Sequence, residues 1–256
     1  DYLTAKGRVD LAVNAQKVPT AVSGIDLDLT SRNLSLSQLS AFVPSLSAST
    51  AGTLNFDGKL AGELDRLNVS GKLNLQGVRV NQLAAGFVDG NRSNLPTGTA
   101  NFSGNVSGAV TSPRVEGNLQ LANLKFNRIA FESRLAGPLT FDLKQGLNLD
   151  LQGNSDRIAA RLDRRFQPLD FAVKLAEATA TGKRSSNRSN SLDVDIADFP
   201  MALLGSLAGQ SNVDGKLSSQ LAVSLGKNPS AVGDVAIARL RYGRVQAERL
   251  VAKFNY

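Results

Sequence analysis

Apolar and polar residues alternate one by one through most of this chain. The alternation is clearest at residues 27–29, 73–75, 119–121, 147–151 and 192–196, where single polar residues separate leucine, valine or isoleucine. A period of two is typical of a β-strand with one dry face and one wet face. Glycine, asparagine, aspartate and proline punctuate the chain about every 10–12 residues, the spacing of antiparallel all-β folds. The pattern therefore predicts a many-stranded sheet with one apolar face.

Two segments depart from the alternation and predict one or two short helices. In the first, Ser35 begins a capping-box pattern, and apolar residues follow near helical spacing until Pro44. In the second, Asp198 is the expected N-cap and Gly209 the expected end. After each segment the chain returns to a glycine-marked strand, so a larger module of strand, helix and strands occurs twice.

Glycines repeat at a fixed offset. Each glycine of one set lies 46 positions before its counterpart in the other, and the two sets are Gly52, Gly58, Gly62, Gly71 and Gly98, Gly104, Gly108, Gly117. The apolar residues that follow keep the same register, and a looser third copy begins at Gly233. A repeat of this size indicates one supersecondary unit stacked several times. It favours an elongated structure that works through a surface over a compact enzyme.

Composition excludes much chemistry. The 256 residues include no cysteine and no histidine, which removes disulfides, thiolate ligands and the commonest general base. Segments 52–60 and 209–217 resemble phosphate loops, but five residues rather than four separate their glycines. Asp193, Asp195 and Asp198 fit the wet face of a strand better than a calcium loop. We therefore expect no enzyme activity, no catalytic residue, no metal site and no cofactor.

A net charge of +7 raises the question of an anionic partner. The basic residues are spread along the chain, with clusters only at Arg161, Arg164 and Arg165 and at the pair Lys183 and Arg184. Aromatic residues make up 5% of the chain, too few for the stacking platforms used to bind single-stranded nucleic acid. Nucleic acid is therefore not an expected partner. A solvated basic face and contact with a membrane surface stay open as alternatives.

The repeats divide the chain into two modules. Residues 1–176 are expected to form the first module, and residues 192–256 a second module that continues the same sheet. Residues 177–191 between them are polar, basic and serine-rich, which predicts a mobile polar loop. The longest apolar run is too short to span a bilayer. We expect the chain to be a segment of a longer protein.

The glycine pattern, the Ser-Pro-Arg turn at residues 112–114 and the strand at residues 117–121 together resemble the repeat of TamB-like proteins. These proteins belong to the AsmA-like superfamily of the bacterial envelope, with relatives in the chloroplast envelope. The resemblance is best over residues 36–150 and returns over residues 192–250. It implies a long antiparallel sheet curled into a half-pipe, the β-taco. It also implies a periplasmic location, an inner-membrane anchor outside this segment, and an outer-membrane barrel protein of the Omp85 type as a partner.

The resemblance implies movement of phospholipid between the two membranes, and also assembly of outer-membrane barrels and autotransporters. Physical reasoning supports a groove independently, because a one-sided apolar sheet must be covered by another sheet, by closure or by a ligand. Two main hypotheses stay open: a phospholipid conduit, and a scaffold whose sheet edges pair with partner strands. A closed structural solenoid is a third hypothesis, and it predicts no ligand.

In the conduit hypothesis the apolar stripe forms the wall of the groove. Branched aliphatic side chains suit acyl chains, which need dry contact but no directional bonds. The predicted wall residues are Leu27, Leu29, Leu73, Leu75, Leu119, Leu121, Phe141, Leu143, Leu147, Leu149, Leu151, Val194, Ile196, Val235 and Ile237. Lipid headgroups would stay at the open rim, where lysine and arginine could meet phosphate.

Overall fold

The structure is a computed structural model that describes residues 2–16, 19–39, 50–84, 95–126, 129–187, 190–202, 212–225 and 229–256. In these residues two short helices accompany the strands: α1 (Leu36–Leu39) and α2 (Val80–Ala84). The strands are β1 (Tyr2–Val13), β2 (Pro19–Ser35), β3 (Thr53–Gly62), β4 (Asn68–Arg79), β5 (Thr97–Ala109), β6 (Ser112–Phe126), β7 (Ile129–Ala130), β8 (Arg134–Asp142), β9 (Gly146–Gln152), β10 (Arg157–Leu162), β11 (Pro168–Leu175), β12 (Ala178–Arg184), β13 (Ser191–Pro200), β14 (Val213–Ser224), β15 (Ser230–Tyr242) and β16 (Val245–Asn255).

All of these strands belong to one 16-stranded antiparallel sheet. They follow one another in chain order from β1 to β16, except that β7 pairs with β6 beside the main path. At about 4.8 Å for each spacing, this path is on the order of 70 Å long. The outermost strands β1 and β16 do not pair with each other, so the sheet is open. The prediction of an all-β fold built on one long antiparallel sheet is confirmed.

The connections alternate between two long edges because consecutive strands run in opposite directions. One edge carries the short turns after β3, β5, β8 and β10, at residues 63–67, 110–111, 143–145 and 163–167. We call it the turn edge. The opposite edge carries α1, α2 and β7, and we call it the helix edge.

Strands that run to the helix edge are bent by bulges. The register shifts around Asn33 in β2, Gly77 in β4 and Asp198 in β13, and all three residues have positive φ angles. The N–H of Asn33 donates to Asn55 Oδ1 at 2.7 Å, and the N–H of Gly77 donates to Asn101 Oδ1 at 2.8 Å. The two asparagines are 46 positions apart, so each repeat supplies the acceptor for the bulge on its neighbour. Bulges bend a strand and increase its twist, so the repeat itself favours curvature.

Contacts between distant strands show that the sheet is curled. Five strand spacings separate β6 from β12, which would place them about 24 Å apart in a flat sheet. Phe126 and Ile129, at the tip of the β6–β7 hairpin, nevertheless pack against Ala178 of β12 and Phe199 of β13. The sheet is therefore a curled half-pipe, and this hairpin closes its helix edge over the strands between.

The prediction of a mobile loop at residues 177–191 is wrong for Ala178–Arg184. These residues form β12, which pairs with β11 on one side and β13 on the other. The apolar face of β12 carries Ala178, Ala180 and Gly182 and ends in Arg184, so its alternation with threonine is too weak to reveal a strand. Because β11, β12 and β13 are neighbours in one sheet, both modules share that sheet.

One of the two predicted helices begins at the expected residue and the other does not. The first begins as expected after Ser35, whose Oγ lies 2.7 Å from Ser37 Oγ, and its remainder at residues 40–44 lies outside the described residues. The second begins later than expected, because Asp198 is a bulged residue of β13 whose N–H donates to Ser218 Oγ at 3.1 Å, and the helical conformation starts at Met201 and Ala202. Residues 203–209 of that predicted helix lie outside the described part. Helix α2 was not predicted, because its apolar residues have the same spacing as the equivalent residues of the next repeat, and that spacing was interpreted as a strand.

The apolar face as candidate functional site

One face of the sheet is apolar from end to end. Cα partners in an antiparallel ladder point to the same face, so the register connects the predicted wall residues from strand to strand. Leu73 of β4, for example, pairs with Phe56 of β3 and Gly104 of β5. Every predicted wall residue except Leu143 lies on this surface, which we call the apolar face.

Phenylalanines and glycines shape the middle of the apolar face. Gly104 and Gly117 are direct cross-strand partners, and the ring of Phe102 lies over both. A Cβ at either glycine would come within 2.8 Å of that ring. Gly58 and Gly71 form the same arrangement under Phe56 in the preceding repeat. Because the repeated glycines have no side chain, the aromatic rings can pack directly against the backbone at these positions.

These phenylalanines are not among the predicted wall residues. Phe56, Phe102 and Phe171 all lie on the apolar face, and Phe171 covers Gly182 of the neighbouring strand. Their sequence signal is a phenylalanine two positions before a repeat glycine, as in residues 56–58 and 102–104. An aromatic ring over a cross-strand glycine is a known way to pin strand register.

Burial on the apolar face increases toward the helix edge. Leu36 and Val78 form a buried cluster there with Ala100. Leu124, Leu135 and Leu151 form the next cluster, and the last two side chains have 0% exposure. Wall residues nearer the turn edge, such as Phe141 and Leu147, keep intermediate exposure. From β2 to β9 the half-pipe is therefore packed along its helix edge and more accessible along its turn edge.

Two of the predicted wall residues do not line the accessible part of the face. Leu151 is fully buried beside Leu124 and Leu135, so it is a core residue that offers no surface to a ligand. Leu143 lies beyond the end of β8, in the turn of residues 143–145, and is 40% exposed. The alternation through residues 141–143 predicted a strand there, but Asp142 ends it by accepting the N–H of Lys144 at 2.7 Å.

The other face of the sheet is polar, and opposite charges follow one another across its strands. Lys59 Nζ lies 2.7 Å from Asp26 Oδ1, which raises the pKa of Lys59 through that hydrogen bond. Arg157 binds Asp150 through two hydrogen bonds of 2.8 Å, which lower the pKa of Asp150. Arg161 forms an ion pair with Asp170. Such exposed pairs contribute little to stability, but they favour one register and fix which face is wet.

The basic clusters seen in the sequence separate in the structure. Arg161 and Lys183 belong to the polar face, whereas the register places Arg184 beside Leu192 on the apolar face. Arg184 therefore places a charged side chain on that face. It lies at the turn edge, where its Nη2 donates to Asp163 Oδ2 at 3.1 Å, and its Nε is buried with no hydrogen-bond partner. Arg164 and Arg165 lie exposed in the adjacent turn.

Two carboxylates join the connections along the helix edge. Asp156 is 5% exposed, and its oxygens accept the N–H of Glu132 at 2.8 Å and the N–H of Ala176 at 2.9 Å. The carboxylate of Glu132 in turn accepts the N–H of Asn154 at 2.6 Å and both the N–H and the hydroxyl of Ser155. Together they link three neighbouring connections of the sheet.

These bonds predict a specific acid sensitivity. The hydroxyl of Ser155 and the backbone N–H groups lower the pKa of Glu132 from 4.5 to about 2. Because the folded pKa lies below the unfolded one, this carboxylate stabilises the fold above pH 4.5, and its contribution disappears as the pH falls toward 2. We expect Glu132→Gln to have a lower melting temperature than wild type at neutral pH. The gap between the two melting temperatures should shrink as the pH falls from 4.5 toward 2.

Thermal melts of both proteins from pH 6 downward, followed by circular dichroism, measure this difference. Glu116→Gln on the polar face of β6 is the matched control, since Glu116 bonds only Arg114 in its own strand. A constant gap between wild type and Glu132→Gln across the acid range would contradict the assigned role.

Other types of site find little support in the described residues. There, no group of three or more acidic side chains is arranged to hold a metal ion. Nor does any helix among them have the length and apolar composition needed to cross a membrane. In comparisons with known proteins, no family model, curated protein or solved structure matches this chain.

Proposed function

We propose that this chain binds phospholipid acyl chains on its apolar face and conducts them along the sheet, as a periplasmic segment of a TamB-like protein. The observation that carries the proposal is the continuity of the apolar face from β1 to β16, with every described strand in the same sheet and no second sheet among the described residues. Monomeric proteins rarely leave an apolar surface of this extent bare in water. An elongated apolar ligand that lies along the half-pipe would cover it.

The chemistry of the face suits acyl chains. Leu27, Leu73, Leu147 and Val194 are half-buried aliphatic walls, and each methylene group removed from water contributes about 0.8 kcal/mol. Polar side chains on the face are sparse and have partners of their own. Ser31 Oγ accepts the N–H of Phe56 at 2.9 Å, for example. An acyl chain therefore gains contact area at each step without breaking hydrogen bonds.

The same proposal includes the direction of lipid movement, the protein partner and the location of the chain in the cell. Phospholipid would move between the inner and outer membranes, with headgroups at the more accessible turn edge, where Arg164 and Arg165 are exposed. An outer-membrane barrel protein of the Omp85 type is the proposed protein partner. The chain itself would perform no chemical step.

A scaffold for outer-membrane protein assembly is the second candidate. The observation in its favour is that β1 and β16 each pair on one side only. They also expose large apolar side chains, with Leu3 at 61% and Val251 at 64%. An open edge of this kind can accept a partner strand through backbone hydrogen bonds.

Photocrosslinking in cells distinguishes the two candidates. One photoreactive residue replaces Leu147 on the apolar face, and another replaces its neighbour Asn148, which is exposed on the polar face. The conduit predicts phospholipid adducts at position 147 and none at position 148. A third probe at Val251 in β16 would capture protein in the scaffold candidate. Absence of lipid adducts at position 147 would contradict the proposed conduit.

A further inference from the structure

The most distinctive exposed surface of the molecule lies at the turn edge, where two turns are neighbours. The turn at residues 143–145 follows β8, and the turn at residues 163–167 follows β10. The second turn packs on the end of β8, where the ring of Phe166 stacks on Phe141 with centroids 6.0 Å apart and an angle of 21° between the planes. Gly146 adds to this contact, since a Cβ there would lie 2.0 Å from the carbonyl oxygen of Leu162. We call these two turns the basic lip.

Each turn of the basic lip presents one large apolar side chain to solvent. Leu143 is 40% exposed and Phe166 is 45% exposed. The stack on Phe141 places Phe166 where the apolar face reaches the turn edge, because Phe141 belongs to that face. The apolar surface of the half-pipe therefore continues outward to the tips of these turns.

Phe166 also has a backbone conformation that is unfavourable for its residue type. Its φ angle is 58°, in the left-handed region that glycine and asparagine adopt far more readily than aromatic residues. A turn selected for stability alone would favour asparagine or glycine at this position. Backbone strain of this kind accompanies functional positions more often than others.

The charge around the two tips is positive. Lys144, Arg164 and Arg165 are exposed, and none of them forms an ion pair with another described residue. The nearby carboxylates are already engaged. Asp163 accepts the N–H groups of Arg165 and Gln167 at 2.9 and 3.1 Å and pairs with Arg184, and Asp142 accepts the N–H of Lys144. The charges of the three exposed cations are thus free to meet an anionic surface.

Another turn of the same edge shows that this combination is specific. Leu64, in the turn at residues 63–67, is 54% exposed, which is more than Leu143 or Phe166. Its flanking residues are Glu63, Asp65 and Arg66, so that turn is acidic on balance. An exposed apolar tip by itself does not define the basic lip, whereas a tip surrounded by free cations does.

We propose that the basic lip docks the chain on an anionic lipid bilayer, with Phe166 and Leu143 inserted at the interface and Lys144, Arg164 and Arg165 at the headgroups. Basic residues near an anionic surface and apolar side chains below the headgroups are the two components of interfacial binding. The proposal goes beyond transport along the groove, since docking needs only the turns and no lipid on the apolar face.

Vesicle co-sedimentation tests this proposal. The intact chain is mixed with vesicles of phosphatidylcholine alone, or of phosphatidylcholine and phosphatidylglycerol. We expect binding to the mixed vesicles that weakens as salt is added. The double variant Arg164→Ala/Arg165→Ala should bind them about 25-fold more weakly, at about fivefold for each cation near the surface. Equal binding to both kinds of vesicle, or no binding to either, would overturn the proposal.

A second variant separates docking from folding. Phe166→Asn removes the apolar tip but places a residue that tolerates the left-handed conformation, so the variant should fold. We expect vesicle binding at least about threefold weaker, because the exposed part of the Phe166 ring no longer leaves water on docking. Leu64→Asn at the acidic turn is the matched control and should bind as wild type. Wild-type affinity of Phe166→Asn, or an equal loss for Leu64→Asn, would overturn the assignment.

A further variant tests the docking proposal separately from the proposed lipid groove. A charge placed on the apolar face, as in Leu73→Asp, should leave vesicle binding unchanged. If that substitution abolished sedimentation with vesicles while the fold stayed intact, the apolar face rather than the basic lip would be the membrane contact, and the docking proposal would be overturned.

Discussion

Replacing Gly104 by valine is expected to lower strongly the urea concentration at which the chain unfolds. A Cβ at position 104 would lie 2.2 Å from the carbonyl oxygen of Glu116 and 2.6 Å from the ring of Phe102. The Cα of Gly117 would be only 2.7 Å away. Since two of these three contacts are backbone, the strands must separate, and we expect a loss of about 3 kcal/mol.

The urea midpoint, followed by circular dichroism, measures this loss. Gly58→Val should behave in the same way, because its Cβ would lie 2.2 Å from the carbonyl oxygen of Ser70 and 2.6 Å from the ring of Phe56. Gly77→Asn is the control, since position 77 has a φ of 66° that asparagine tolerates and no atom within 4 Å of a Cβ. Midpoints for the two valine variants as high as that of Gly77→Asn would contradict the role of the glycine pairs.

Replacing Leu73 by aspartate is expected to abolish most lipid binding without unfolding the chain. Leu73 lies on the apolar face between Phe56 and Gly104, is half-buried, and belongs to none of the buried clusters. A carboxylate there would meet acyl chains rather than water, at a cost of at least about 2 kcal/mol. We therefore expect the fraction of chains with bound phospholipid to fall at least about tenfold.

Asn74→Asp is the matched control for that experiment. It adds the same charge to the next residue of β4, but on the polar face, where its Cα partners are Asn55 and Ser103. Lipid binding should match that of wild type. An equal loss in both variants would mean that net charge or stability, and not the apolar face, controls the bound lipid.

Much of this fold follows from short-range patterns in the sequence. A period of two identifies the strands, and the offset of 46 residues identifies equivalent glycines, which lie in equivalent cross-strand pairs. Burial of one face against water is enough to fix the side on which Leu27, Leu119 or Val235 lies. All predicted wall residues but Leu143 were therefore placed on the correct face.

The remaining features depend on contacts between distant residues. Val80 and Phe126 occupy the same position in two repeats, yet Val80 begins helix α2 and Phe126 ends a strand that continues into a hairpin. The partner of Phe126 is the cluster on β12 and β13, about 50 residues or more further along, so local pattern cannot reveal it. The same holds for Leu151, whose full burial depends on how tightly the sheet curls. Strand β12 was missed because small residues on its dry face give almost no hydrophobic signal.

The basic lip shows a related limit. The sequence revealed the cluster of Arg161, Arg164 and Arg165 but not that strand pairing turns Arg161 to the polar face and leaves the other two at a turn. Nor could it reveal that Leu143 and Phe166 come together at one edge, since 23 positions separate them. Both results required the strand register.

If the apolar face is an open surface that holds lipid, and not a core that packs only against itself, the wild-type chain should carry phospholipid when it is purified from bacterial cells without detergent. In native mass spectrometry we expect masses of the chain with one or more phospholipids bound, and their loss in Leu73→Asp but not in Asn74→Asp. A folded wild-type chain that carries no phospholipid, and takes up none from added vesicles, would show that the apolar face does not hold lipid.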